Sequence, residues 1–160
     1  MKKGLIFALV FTIFLSVQAE ASMVAFYLVE TGLEEEAVLS NRHAEIWENG
    51  FLDVFFEAGH IVSNAPILRL NAKPRGDILR AIDFNVVDVR DGGIDFVIIA
   101  MLDYTGGSQT PREITFHIYR VIPREHILER TIPGKTYRTV REEFEDIKSI
   151  VRGLVPYIGD

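Results

Sequence analysis

Apolar positions along this chain change period several times, and each change marks an element. Met23-Val24-Ala25-Phe26-Tyr27-Leu28-Val29 is an apolar run without alternation. Such a run predicts a central strand covered on both faces. Glu30-Thr31-Gly32 ends it, and from Leu33 the spacing turns helical, with Leu33, Ala37, Ala44, Trp47, Phe51, Val54, Phe55 and Ala58 on one stripe. Glu34, Glu35 and Glu36 fall in the first turn, where the helix dipole favours negative charge. Gly50 inside the stripe costs about 1 kcal/mol relative to Ala and marks a kink or break. Gly59 stops the helix, and His60-Ile61-Val62 predicts a short strand. Pro66, Pro74 and Gly76 mark residues 65–76 as a connection. From Asp77, an N-cap residue, the positions Ile78, Ala81, Ile82, Val86 and Val89 predict a second helix that Asp91-Gly92-Gly93 ends.

Ile94 to Tyr104 carries the strongest strand pattern, apolar throughout from Phe96 to Leu102, and predicts a second central strand. Glu113 to Val121 alternates instead. Ile114, Phe116 and Ile118 share one face, while Thr115, His117 and Tyr119 share the other, the pattern of a half-covered strand. Pro123-Arg124-Glu125 turns the chain into a third strand of a meander, His126 to Ile132. A long closing helix has the stripe Tyr137, Val140, Phe144, Ile147, Val151, Leu154 and Ile158, and starts at a Thr139–Glu142 capping box or at Thr136. The order β-α-β-α-β-β-β-α predicts an α/β fold: a single α/β sandwich over residues 22–160, with a mixed five-stranded sheet, three helices and an antiparallel meander at one edge.

Residues 1–21 stand apart from this pattern. Lys2 and Lys3 precede an apolar run from Leu5 to Val17, and Ala19-Glu20-Ala21 offers small residues at the −3 and −1 positions of a signal-peptidase site. The run is short of the ~20 apolar residues a spanning helix needs. A cleaved signal peptide is therefore expected, with Ser22 as the first mature residue and a periplasmic or secreted destination. The chain has no cysteine, which removes disulfides, thiolate nucleophiles and the acylated thiol of a bacterial lipoprotein. Without residues 1–21 there remain 15 basic against 22 acidic residues, a net charge of −7. That sign repels phosphate backbones and anionic headgroups, so neither DNA nor any other nucleic acid is an expected partner.

The stretch Gly93-Ile94-Asp95-Phe96-Val97-Ile98-Ile99-Ala100-Met101-Leu102, with the meander and the closing amphipathic helix after it, resembles the amino-terminal domain of TolB. It also resembles the related curli-secretion protein CsgG and the penicillin-binding-protein activators. Ala100 stands where glycine is common in that group, and the hairpin at Pro123-Arg124 lacks its usual threonine-glycine turn. The resemblance implies an anticodon-binding-domain-like fold and a periplasmic domain that works by contacting other envelope proteins. It implies no catalytic residue.

Chemistry-bearing residues agree with that expectation. The chain contains no P-loop, no dinucleotide-binding glycine fingerprint, no His-Glu-x-x-His and no Gly-x-Ser-x-Gly. His43 and Glu45 point in different directions on a helix, so His43 reads as a surface residue, and His60 reads as a packing residue. A turn at 122–125 would set Val121 opposite His126 and Arg130 opposite His117, with the two histidines on one face but too far apart to share an ion without a third ligand. Asp95 and Asp103 sit at opposite ends of one strand, about 27 Å apart at 3.4 Å per residue, and Asp88 and Asp91 read as helix-end residues. Trp47 belongs to the apolar stripe. No catalytic residue, cofactor or metal ligand is expected, and Thr115, His117 and Tyr119 form the candidate interaction face. The expected function is a non-catalytic protein-interaction domain of the cell envelope. The alternatives are a subunit of a homo-oligomeric envelope assembly, or a ligand binder or hydrolase with an unseen cleft. Mass spectrometry of the exported protein should find an amino terminus at Ser22; a chain that begins earlier would contradict the cleavage site.

Overall fold

The structure is a computed structural model that describes residues 21–33, 42–72, 74, 76, 78–82, 84 and 86–159. The leader pattern up to residue 20, Glu34 to Glu36, Ala37 and Asp77 lie outside the described residues. Strand β1 (Met23–Thr31) takes the central position its unbroken apolar run requires. It pairs in parallel with β4 (Phe96–Asp103) on one side, and on the other with β2 (Ile61–Asn64) and then β3 (Leu68–Leu70). Antiparallel strands β5 (Glu113–Arg120) and β6 (Glu125–Pro133) continue outward from β4. The sheet runs β2-β1-β4-β5-β6, with β3 also on β1.

This is an α/β fold, with differences in element count. The described residues form six strands where five are expected, because β3 lies inside the stretch that reads as a connection. Leu-Arg-Leu is too short to display a period, and its pairing with Val29 to Thr31 defines it. They also form four α-helices where three are expected: α1 (His43–Glu57), α2 (Ile78–Ala81), α3 (Val86–Asp91) and α4 (Val140–Arg152). The predicted helix from Ile78 to Val89 is interrupted. The Phe84 amide donates to the Leu79 carbonyl at 2.9 Å, closing α2 with a helix-ending turn. Of the two starts the sequence offers, helix α4 takes Thr139, whose hydroxyl accepts from the Glu142 amide at 3.1 Å, and not Thr136. It ends at Arg152, short of Ile158. Gly153 and Pro156 follow, and the chain tightens into a 3₁₀ turn at Val155–Tyr157. Val140, assigned to the buried stripe by spacing, is 64% exposed in the first turn.

Two apolar layers cover the sheet. On the front face Phe26 and Leu28 of β1, Ile98 and Leu102 of β4, and Phe116 of β5 pack against Trp47, Phe51 and Phe55 of α1 and Ile147 and Val151 of α4. Phe26 and Phe51 stack with centroids 4.0 Å apart, and Trp47 is a core residue as expected. On the back face Ala25, Val29, Val97, Ile99 and Met101 meet Ile78 and Leu79 of α2. Residues of both parities along β1 and β4 are therefore buried, which explains their lack of alternation.

Gly50 neither kinks nor breaks α1, which is continuous from His43 to Glu57. It is the point where α4 presses closest. A Cβ on Gly50 would lie 2.5 Å from Ile147 Cγ2, so only glycine fits without displacement. Lys148 ties the same crossing from outside, contacting Asp53 and donating to Glu57 at 3.1 Å. Gly50→Leu should lower stability by about 1–3 kcal/mol through overpacking. Adding Ile147→Ala should recover part of the loss. Denaturant unfolding of the parent, single and double variants reads both effects, and an unshifted midpoint in Gly50→Leu would contradict the close crossing.

Candidate functional site

The alternation read along β5 is correct, but its second face is not open. Thr115 is 3% and His117 8% exposed, with only Tyr119 partly accessible. Across the hairpin the Thr115 and Thr131 hydroxyls lie 3.0 Å apart, closing that end. Farther along, Gly76, Ile78, His117, Tyr119, Arg124, His126 and Glu129 line a concavity of about 420 Å³. Thr115 and His117 of the expected interaction face are thus buried, and the face opens into a polar hollow beside His117 and Tyr119.

Hairpin register differs from the expected one and determines what lines this hollow. Arg120 pairs with Glu125 and Tyr119 with His126, while Ile118 pairs with Leu128 and His117 with Glu129. Ile127 is the additional residue of a β-bulge at Ile118/Tyr119. In a regular strand His126 and Glu129, three apart, would point to opposite faces. The bulge reverses the parity: Ile127 and Leu128 both pack against the front core, and His126 joins Glu129 on the back. The His117 and His126 rings lie 5.5 Å apart, and Tyr119 stacks on His126 at 4.5 Å. His117 Nδ1 is 4.0 Å from a Glu129 carboxylate oxygen. Each of His117, His126 and Glu129 offers one ligating atom, all within 4.8 Å of one another. The separation expected between the two histidines is therefore corrected: the turn occupies residues 121–124 rather than 122–125, so His126 pairs with Tyr119, two residues along β5 from His117 rather than four, and the bulge then sets Glu129 opposite His117. Glu129 and Arg124 escape sequence reasoning, since alternation assigns Glu129 to the wrong face.

Other residues singled out in the sequence have local structural roles. Asp95 accepts from the Met23 amide at 2.8 Å, and Asp103 accepts from the Thr105 amide at 2.9 Å. Asp91 accepts from Arg90 at 3.1 Å, and Asp88 lies exposed on α3. His60 packs beside Phe55, and burial pulls its pKa down. His43 is not a free surface residue, because its Nδ1 contacts the carboxylate of buried Glu143 on α4.

No protein-family model and no curated protein matches the chain. Among solved structures it is similar to a PelC dodecamer from Paraburkholderia phytofirmans, at 14% identity over 87% of this chain and 88% of that one, with a TM-score of 0.49. It is similar to lipoprotein GNA1162 from Neisseria meningitidis, at 13% identity over 85% and 99% of the two chains, with a TM-score of 0.48. TolB from Acinetobacter baumannii is also among them, at 13% identity over 88% of this chain and 30% of that one, with a TM-score of 0.44.

A second polar set lies at the carboxyl ends of β1 and β4, where open α/β sheets commonly hold ligands. Here the position is filled by side chains. Glu30 and Thr31 are fully buried, and Glu30 accepts from Arg69 Nε at 3.0 Å, its cross-strand neighbour on β3. Burial pushes the Glu30 carboxyl above its ordinary value, and Arg69, His43 and Tyr104 pull it back only in part. The folded state therefore holds this proton more tightly than the unfolded chain does. Stability from this group is full below the ordinary value of 4.5 and is lost as pH rises through the raised value. Glu30→Gln should consequently gain on the parent in unfolding free energy as pH rises above the ordinary value of 4.5. A difference between the two proteins that stays constant with pH would contradict the buried-carboxyl account.

Proposed function

We propose that this chain is an exported, non-catalytic domain of the bacterial cell envelope that binds other proteins by strand addition at β6. The leader pattern of residues 1–21 supports export. The observation that carries the binding mode is β6 itself. It runs nine residues, Glu125 to Pro133, and ends the sheet path, whereas the strands at the opposite side span four and three residues. A long edge strand presents a row of backbone donors and acceptors to an incoming strand. Glu125, Glu129 and Arg130 line that edge with charge, which opposes indiscriminate pairing and favours a partner strand of matching sequence.

A homo-oligomeric envelope assembly is the second reading, and one observation favours it. Phe56 is 79% exposed, and with Leu52, Val62 and Phe144 it lines a shallow groove of about 620 Å³ beside β2. The groove and β6 lie at opposite sides of the sheet, so a copy-to-copy contact joining them would be heterologous and would propagate into a ring or filament. Light scattering on the purified chain and photo-crosslinking in cells separate the two readings. A crosslinker at Thr131 should capture a different envelope protein, while one at Arg141, exposed on α4, should not. Adducts whose masses are multiples of this chain, with an oligomer in solution, would favour the second reading. No adduct at Thr131 would count against strand addition.

A further inference from the structure

We propose that His117, His126 and Glu129 form a binding site for one divalent transition-metal ion of the zinc, nickel or copper class. The inference is independent of the protein-binding reading. Two imidazoles and one carboxylate are the donor set of a borderline-soft cation, whereas magnesium and calcium select oxygen ligands. Three protein ligands leave a further position, which here opens into the hollow lined by Tyr119 and Arg124.

Geometry supports one shared ion. Ligands bonded at about 2.1 Å in a tetrahedral site lie about 3.4 Å apart. The three atoms here lie within 4.8 Å, so closure needs movements of about 1.4 Å at most. The residues that must move are those free to do so: Glu129 is 62% exposed in its side chain, and His126 is exposed. His117, 10% exposed in its side chain, is the fixed ligand. Stacking of Tyr119 on the His126 ring restricts the second imidazole to an orientation beside the first. The strands contribute as well. Because β5 and β6 are hydrogen-bonded neighbours and the bulge fixes their register, the ligands are carried on backbone rather than on a loose loop. This is the one such convergence of His, Asp and Glu among the described residues.

Charge sets the character of the remaining ligand. Arg124 lines the same hollow, so a dication there meets one positive and one negative side chain, Arg124 and Glu129. That balance favours an anionic fourth ligand, such as hydroxide or a carboxylate, over a neutral one.

The test uses the full chain without a polyhistidine tag, titrated with Zn²⁺ against a chromogenic chelator. One ion per chain is expected, with no competition from Mg²⁺ or Ca²⁺. His126→Gln and Glu129→Gln alter exposed residues that no core contact needs, and each should weaken binding at least about tenfold. Zinc should raise the melting temperature of the parent and leave that of His126→Gln unmoved. The cobalt(II) form should show the visible absorption of a tetrahedral site, which His126→Gln removes. Substoichiometric binding, or equal affinity in the parent and both variants, would overturn the assignment. Binding lost in His43→Gln but retained in His126→Gln would overturn it too, by moving the ion elsewhere.

Discussion

Parallel pairing of β1 with β4 is the constraint on which the remainder of this structure depends. Both strands are buried on both faces, so neither can exist without a layer in front and another behind. Helices α1 and α4 supply the front with aromatic bulk, and α2 with its flanking turn supplies the back. The two layers differ in kind. Trp47, Phe51, Phe55, Phe26 and Phe116 make the front a continuous aromatic cluster, while the fully buried residues of the back are aliphatic apart from Met101, with Tyr27, Phe84 and Tyr119 only at its margin. A glycine at the α1–α4 crossing lets the front layer close tightly over that cluster.

The back layer ends before the sheet does. Helix α2 covers the back of β1, β4 and the near part of β5, and β6 extends past it. Where cover stops, polar side chains take over: the Thr115–Thr131 pair first, then His117, Glu129, His126 and Tyr119 around the hollow. One bulged residue, Ile127, divides this hairpin into two regimes. It allows two adjacent apolar residues to serve the front core and puts the next polar residue on the back, so the core and the polar cluster are satisfied by the same irregularity.

Charge is buried at the opposite extreme of the sheet, where β1 ends. Glu30 there is held by Arg69 from β3, and His43 and Glu143 join the start of α1 to the first turn of α4 nearby. Four segments distant in the chain, β1, β3, α1 and α4, are tied at one place. A buried carboxylate that burial holds above its ordinary pKa contributes less to stability than an apolar residue of the same shape would.

Periodicity by itself determined the strands β1, β4 and β5, most of the core stripe of α4, the core role of Trp47 and the α/β order of the chain, because burial on one face or two writes directly into apolar spacing. It could not show β3 or the division of the second predicted helix, since elements of three to six residues are shorter than the period that would reveal them. Nor could it explain Gly50, whose partner Ile147 lies far along the chain. The polar cluster was decided by tertiary structure alone. His126 and Glu129 are separated by an odd number of residues, which in any regular strand sends them to opposite faces. Only pairing with β5, and the bulge that pairing imposes, brings them to the same side as His117.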